Sequence, residues 1–149
     1  MDFEDTPVGR EFRIEPLRIE KEKILAFARE YDPLPVHLDE EYARGTRYKT
    51  LLAPGVMCFM SAWSRFISRN PWGDNLIAGK STKIEWLAPV HADDTLHGVA
   101  TVTGKSRRNP HNGIVIITTD LFNQDSTHVI HDTTEMIVAG PVRPGNTEA

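Results

Sequence analysis

The chain has 149 residues, with 21 acidic against 17 basic side chains and a formal net charge of −4. No global positive field would draw it to nucleic acid or to an anionic membrane. Hydrophobic residues make up 40% and charged residues 26%, the balance of a soluble globular protein long enough for one domain with a sizeable core.

The opening stretch MDFEDTPVGREF lacks the basic and apolar regions of a signal peptide. No run reaches the roughly 18 apolar residues of a membrane span. The single cysteine, Cys58, excludes an internal disulfide and lies in an apolar run, where it reads as core. These features lead to the expectation of a cytoplasmic protein. Residues 1–149 are expected to form a single domain, with about 141–149 a flexible tail because GPVRPGNTEA is rich in Pro and Gly.

In chain order, EFRIEPLRI predicts an edge strand. IEKEKILAFAREY predicts a helix, with Ile24, Phe27, Ala28 and Tyr31 at helical spacing. Pro33 ends it by pushing Asp32 out of the α region. DEEYARG predicts a short helix with Asp39 as N-cap, acids at the positive end and Gly45 at the exit. PGVMCFMSAWSRFISRN predicts a longer helix. Its wide apolar face carries Val56, Phe59, Met60, Trp63, Phe66 and Ile67, opposite Ser61, Ser64, Arg65 and Ser68. Strands follow: AGKSTKIEWLAPV with Thr82, Ile84 and Trp86 alternating, DTLHGVATVTGK, the apolar GIVIITTDLFNQ, and HVIHDTTEMIVAG. Helices followed by strands indicate an α+β domain in which an antiparallel sheet of about five strands wraps round one apolar helix.

Three places carry candidate chemistry. Asp32 and His37 flank Pro33 and Pro35 in YDPLPVHLDEEYARG, and the prolines hold the intervening loop stiff. The pair is either a proton-handling dyad or a helix-ending turn beside a surface histidine. Gly55 opens the apolar helix, where free N–H groups stabilise negative charge and a missing Cβ admits a close carbonyl. It is either an oxyanion donor or a packing glycine. The turn GKSRRNPHNG holds Lys105, Arg107 and Arg108, which suit either phosphate binding or a solvated hairpin loop. No metal is expected. His91, His97, His111, His128 and His131 lack ligand spacing, and His128 and His131, three apart on a predicted strand, should face opposite sides. Phosphate-loop, dinucleotide and nucleophile-elbow glycine patterns are absent, and no cofactor is expected.

YDPLPVHLDEEYA resembles the hydratase-2 signature of MaoC-like (R)-specific enoyl-CoA hydratases and 3-hydroxyacyl dehydratases. TLLAPGVMCFMSAW resembles that family's entry into its central helix. IEWLAPVHADDTLHGVATV and GIVIITTDLFNQDSTHVI resemble its later strands, so the likeness spans roughly residues 10 to 140. It implies a hotdog fold, a sheet wrapped round one long helix. It implies that Asp32 and His37 hold a water and move its protons, and that the Gly55 N–H polarises a thioester carbonyl. It also implies an acyl-CoA or acyl-carrier thioester as substrate, bound near the interface of a homodimer or higher oligomer. Four positions depart from the family pattern: Leu34 for Asn or Gln, Pro54 for His or Ser, Asp93 for glycine, and Trp63 where some members have serine. Trp63 either shortens the acyl pocket or fills core. A hotdog thioesterase is the alternative enzyme, but residues 55 to 69 hold no Asp or Glu for its catalytic carboxylate. A non-catalytic acyl-thioester-binding subunit is the alternative outside enzymes, and such subunits typically lose the dyad present here.

Overall fold

A computed structural model describes residues 1–141 of the chain. Strand β1 (Glu11–Arg18) leads to helix α1 (Lys21–Tyr31), the single turn α2 (Pro35–Leu38), α3 (Glu40–Arg44) and α4 (Gly55–Ile67). Strands β2 (Leu76–Trp86), β3 (Thr95–Arg107), β4 (Asn112–Phe122) and β5 (His128–Ala139) follow. All pairings are antiparallel, in the order β1-β3-β4-β5-β2. The sheet packs its inner face on α4, which is the hotdog arrangement of an α+β chain.

β4 lies at the centre of the sheet, as its apolar run predicts, and buries Val115, Ile117, Thr119 and Leu121. β1 is an edge strand, and Pro16 sits in a register shift between Ile14 and Leu17, where its missing N–H breaks no ladder. α3 starts at Asp39, whose side chain accepts from the Tyr42 N–H at 3.0 Å. No helix of the described residues is long and apolar enough to cross a membrane. The expected tail lies outside the described residues, apart from Pro141.

The structure revises four local expectations. Residues 35–38 form a helical turn rather than an irregular loop, because Pro35 is preset for a first helical position. The buried stripe of α4 is Met57, Cys58, Phe59, Ala62 and Phe66, whereas Val56 and Met60 are exposed. Small Cys58 and Ala62 let the sheet approach the helix, which turns Val56 and Met60 outward. β2 buries no full face: Trp86 is 56% exposed and Ile84 half-buried, because β2 is the far edge of the sheet. Finally, His128 and His131 share one face. His131 stands opposite Asp120 and His128 opposite Phe122, so a bulge absorbs the odd residue between them.

Two motif residues acquire structural reasons. Asp93 has φ +68°, the left-handed region where glycine is unstrained, and is tied by Arg18 Nη2 at 3.0 Å. Buried Asp94 accepts from the His91 N–H and from Gln124 Nε2, each at 2.9 Å, and so locks the turn into β3.

Candidate active site

α1 ends where Asp32 adopts φ −151° and ψ 67°, as a residue before proline must leave the α region. The chain then turns through α2, which carries His37 inward to 9% exposure. Residues 51–53 run alongside. Leu52 N–H donates to Val36 O at 3.0 Å, and Ala53 N–H donates to Val90 O at 2.8 Å. His37 Nδ1 lies 2.8 Å from Leu52 O. A carbonyl only accepts, so Nδ1 carries the proton of this bond. In the neutral imidazole Nε2 is therefore a bare lone pair. Nε2 lies 3.3 Å from Asp32 Oδ2. Two acceptors so placed need a donor between them, supplied by a water or by protonation of the ring.

Asp32 also forms part of the wall of a cavity of about 460 Å³. Phe27, Tyr31, Pro54, Gly55 and Trp86 line it as well. The Phe27 and Tyr31 rings meet at 5.1 Å with a 50° tilt, and Tyr31 is 66% exposed although its spacing predicts a buried face, because it lies at the rim of this cavity. The wall is mainly apolar, and Asp32 is its only carboxylate among the described residues.

α4 begins at the same wall. Its first intrahelical bond runs from Cys58 N–H to Pro54 O at 3.2 Å, so the N–H groups of Gly55, Val56 and Met57 have no partner within the helix. The space above Gly55 Cα is not open. A Cβ there would lie 2.0 Å from Trp86 Nε1, so the indole rests on the glycine. Asp32 and Gly55 thus share one cavity wall with Trp86 as a cover, and His37 stands behind Asp32 rather than in the wall itself. Trp86 escaped notice because its alternation in β2 predicts a packed strand residue. Its position just before LAPV, at the end of an edge strand, is the signal that marks it.

The other candidates lie elsewhere. Lys105 Nζ donates to Phe3 O at 2.9 Å and Glu4 O at 3.2 Å. Arg107 pairs with Glu4 and lies over the Phe3 ring at 5.1 Å, and Arg108 reaches Asn112 Oδ1 at 3.5 Å. Through Gly113 and Val138 the Arg107 position is level with Leu76, at the end of β2 opposite Trp86. At about 3.3 Å per residue, that places the basic turn roughly 30 Å along the sheet from the cavity. Trp63 is half-buried against Phe59 and Phe66 at 5.8 and 5.2 Å and lies outside the cavity wall. Burial pushes the Cys58 thiol up to about 12, so it is not a nucleophile at neutral pH.

Known proteins share this architecture. The family described as "FAS1-like, dehydratase domain region" matches residues 6–132. The solved MaoC-like dehydratase from Rhodospirillum rubrum is 33% identical, with a TM-score of 0.81 over 95% of this chain and 99% of its own. An (R)-specific enoyl-CoA hydratase from Rhodospirillum rubrum is 29% identical over 102 residues, 68% of this chain and 69% of its own. The uncharacterized protein YdeM of Bacillus subtilis is 27% identical over 139 residues, 93% of this chain and 99% of its own. The extent of the family match, and the identity to a solved dehydratase over nearly the whole chain, establish that this chain belongs to the FAS1-like dehydratase family, with the hotdog fold of MaoC-like dehydratases.

Proposed function

We propose that the protein is a hydro-lyase that reversibly adds water to a trans-2-enoyl thioester, carried on CoA or an acyl carrier. One observation carries this reading: His37 is pinned through Nδ1 so that a bare Nε2 faces Asp32 Oδ2 at 3.3 Å, beside an apolar cavity. A water held between these acceptors gives up one proton to the dyad as its oxygen bonds to C3. The C2=C3 electron pair moves toward the thioester carbonyl, giving an enolate oxygen. N–H groups at the start of α4, Gly55 first, stabilise that charge. The dyad then returns its proton to C2, so one water is consumed and the side chains end as they began. Dehydration is the reverse. The stiff turn matters because two proton carriers must meet one water and one carbon with little freedom.

A homodimer, with higher assembly as an extension, fits the exposed edge β2 and the exposed apolar residues Val56, Met60, Trp86 and Leu87 beside it. A cytoplasmic setting fits the free, buried Cys58. The basic turn is left out of this reading, since its cations are engaged with Phe3, Glu4 and Asn112. A thioesterase has no support on α4, which carries no carboxylate.

One observation favours a second reading, an acyl-thioester-binding subunit without turnover: the Trp86 indole occupies the space over Gly55. The test is loss of enoyl-thioester absorbance on short, long and branched enoyl-CoAs, for wild type, Asp32→Asn and His37→Ala. Turnover that vanishes in both folded variants supports the hydro-lyase. Saturable binding of enoyl-CoA without turnover in wild type supports the subunit.

A further inference from the structure

The outer face of the sheet holds a second carboxylate–histidine group that the proposed reaction does not use. Asp120 Oδ1 lies 2.7 Å from His131 Nδ1 and 2.9 Å from His128 Nε2. The three side chains are 29 to 37% exposed, so the group is reachable from solvent. One ligand-capable atom from each lies within 4.8 Å of the others. The bulge in β5 makes this possible, because regular pairing would send His128 to the inner face.

The rings are also held in place. His128 stacks on Phe122 at 4.8 Å and 20°, and His97 lies on Phe122 at 6.0 Å and 27°. His131 meets His128 nearly edge-on, at 85°. Two imidazole nitrogens therefore approach one carboxylate oxygen from different directions, with at least one ring fixed by packing. Glu85 stands beside His131 on β2 and adds negative charge to the same face.

Two imidazole nitrogens and one carboxylate oxygen form the donor set of late first-row divalent cations. Magnesium and calcium prefer oxygen alone. Water can fill the remaining positions because the group faces solvent. We propose that Asp120, His128 and His131 bind one divalent cation of the zinc class. The ion ties β4 to β5 next to their connecting turn. On binding, the two facing ring nitrogens release their protons to solvent, and the side chains turn slightly apart to reach metal–ligand distances of about 2.0–2.2 Å.

The test is calorimetric titration of Zn²⁺ into tag-free, chelator-treated full-length protein, with wild type, His128→Gln, His131→Gln, Asp120→Asn and the double His variant. Circular dichroism checks that each variant is folded. One saturable equivalent is expected in wild type. Each single substitution is expected to weaken it at least tenfold, since loss even of a group that merely supports a ligand costs about 10- to 100-fold. His91→Gln, whose ring pairs with Asp94 elsewhere, is expected to bind as wild type does. Zn²⁺ should raise the Tm of wild type but not of the double variant. Absence of saturable uptake by folded wild type, or uptake that survives in the double variant, overturns the proposal.

Discussion

Besides the His91–Asp94 turn, the chain sets histidine against aspartate at Asp32–His37 and at Asp120 with His128 and His131, and the surroundings of these two differ in every respect that matters for chemistry. His37 is buried on a one-turn helix, with its Nδ1 proton committed to Leu52 O and its partner Asp32 in the wall of an apolar cavity. His128 and His131 lie on an open sheet face and both turn to the same oxygen of Asp120. The first arrangement leaves one lone pair free beside the wall of a mainly apolar cavity, which suits proton transfer. The second converges two nitrogens and an oxygen at a wet surface, which suits an ion. Residue types alone do not separate the two uses. The Leu52 carbonyl that takes the Nδ1 proton of His37 does, since His128 and His131 show no such bond.

The largest expected effect breaks the first site. His37→Ala should lower turnover of the enoyl thioester by roughly 10²- to 10⁴-fold, the usual share of a general acid–base group. Asp32→Asn should do the same while the Tm changes little, because its side chain is 41% exposed. Steady-state kinetics alongside thermal melts check both. Retention of turnover in Asp32→Asn would remove the distinction between the two sites.

Gly55 sharpens the comparison, since it ties the first site to a helix end that the second lacks. Gly55→Ala puts a Cβ against the indole of Trp86 and should cost about 1–2 kcal/mol by overpacking. Trp86→Ala should recover most of that loss, because the strain comes from this one pair. A double-mutant cycle by urea denaturation measures it. If the two losses simply add, the indole is not what requires glycine at this position.

The inner face of the sheet gives two smaller effects. Thr119 Oγ1 is buried without a hydrogen-bond partner among the described residues, so Thr119→Val should stabilise by about 1 kcal/mol. Asp132 is fully buried and accepts from Thr82 and Thr134. Burial raises its pKa above the ordinary 3.8, against the opposing effect of those two hydroxyls. A raised folded pKa means the native state holds the proton more tightly. Its contribution is full below the unfolded pKa and is lost as pH rises through the folded one. Asp132→Asn should therefore gain stability relative to wild type as pH rises from about 4 toward 7, by denaturant melts at both ends. A constant difference would show that Asp132 titrates normally.

The smallest effect concerns Asp93. Asp93→Gly relieves a left-handed backbone but loses the exposed Arg18 pair and adds freedom to the unfolded chain. A net change within about 0.5 kcal/mol is expected by thermal melts, because these contributions oppose each other.

Much of this molecule was legible in its amino acids. Period and caps placed α1, α3 and α4, since helical spacing and Asp39 act through neighbouring residues alone. The apolar run 113–122 marked the central strand, and EFRIEPLRI was legible as an edge strand. Asp32, Pro33, Pro35 and His37 stood out because a stiff short segment fixes two side chains locally. What escaped is non-local. Which side of α4 is buried depends on how far the sheet wraps, so Val56 and Met60 came out exposed. Trp86 reaches Gly55 across 31 positions of chain, and no local pattern reports that contact. The His128–His131 pair depends on one extra residue in β5, and strand period assumes none. Sequence alone determined most of the elements, the edge and the placing of Asp32 and His37 on one stiff segment, because short-range sterics and hydrogen bonding set them. Tertiary structure decided the tautomer of His37, the cover over Gly55 and the meeting of two histidines on Asp120, because each depends on a partner brought in by the fold.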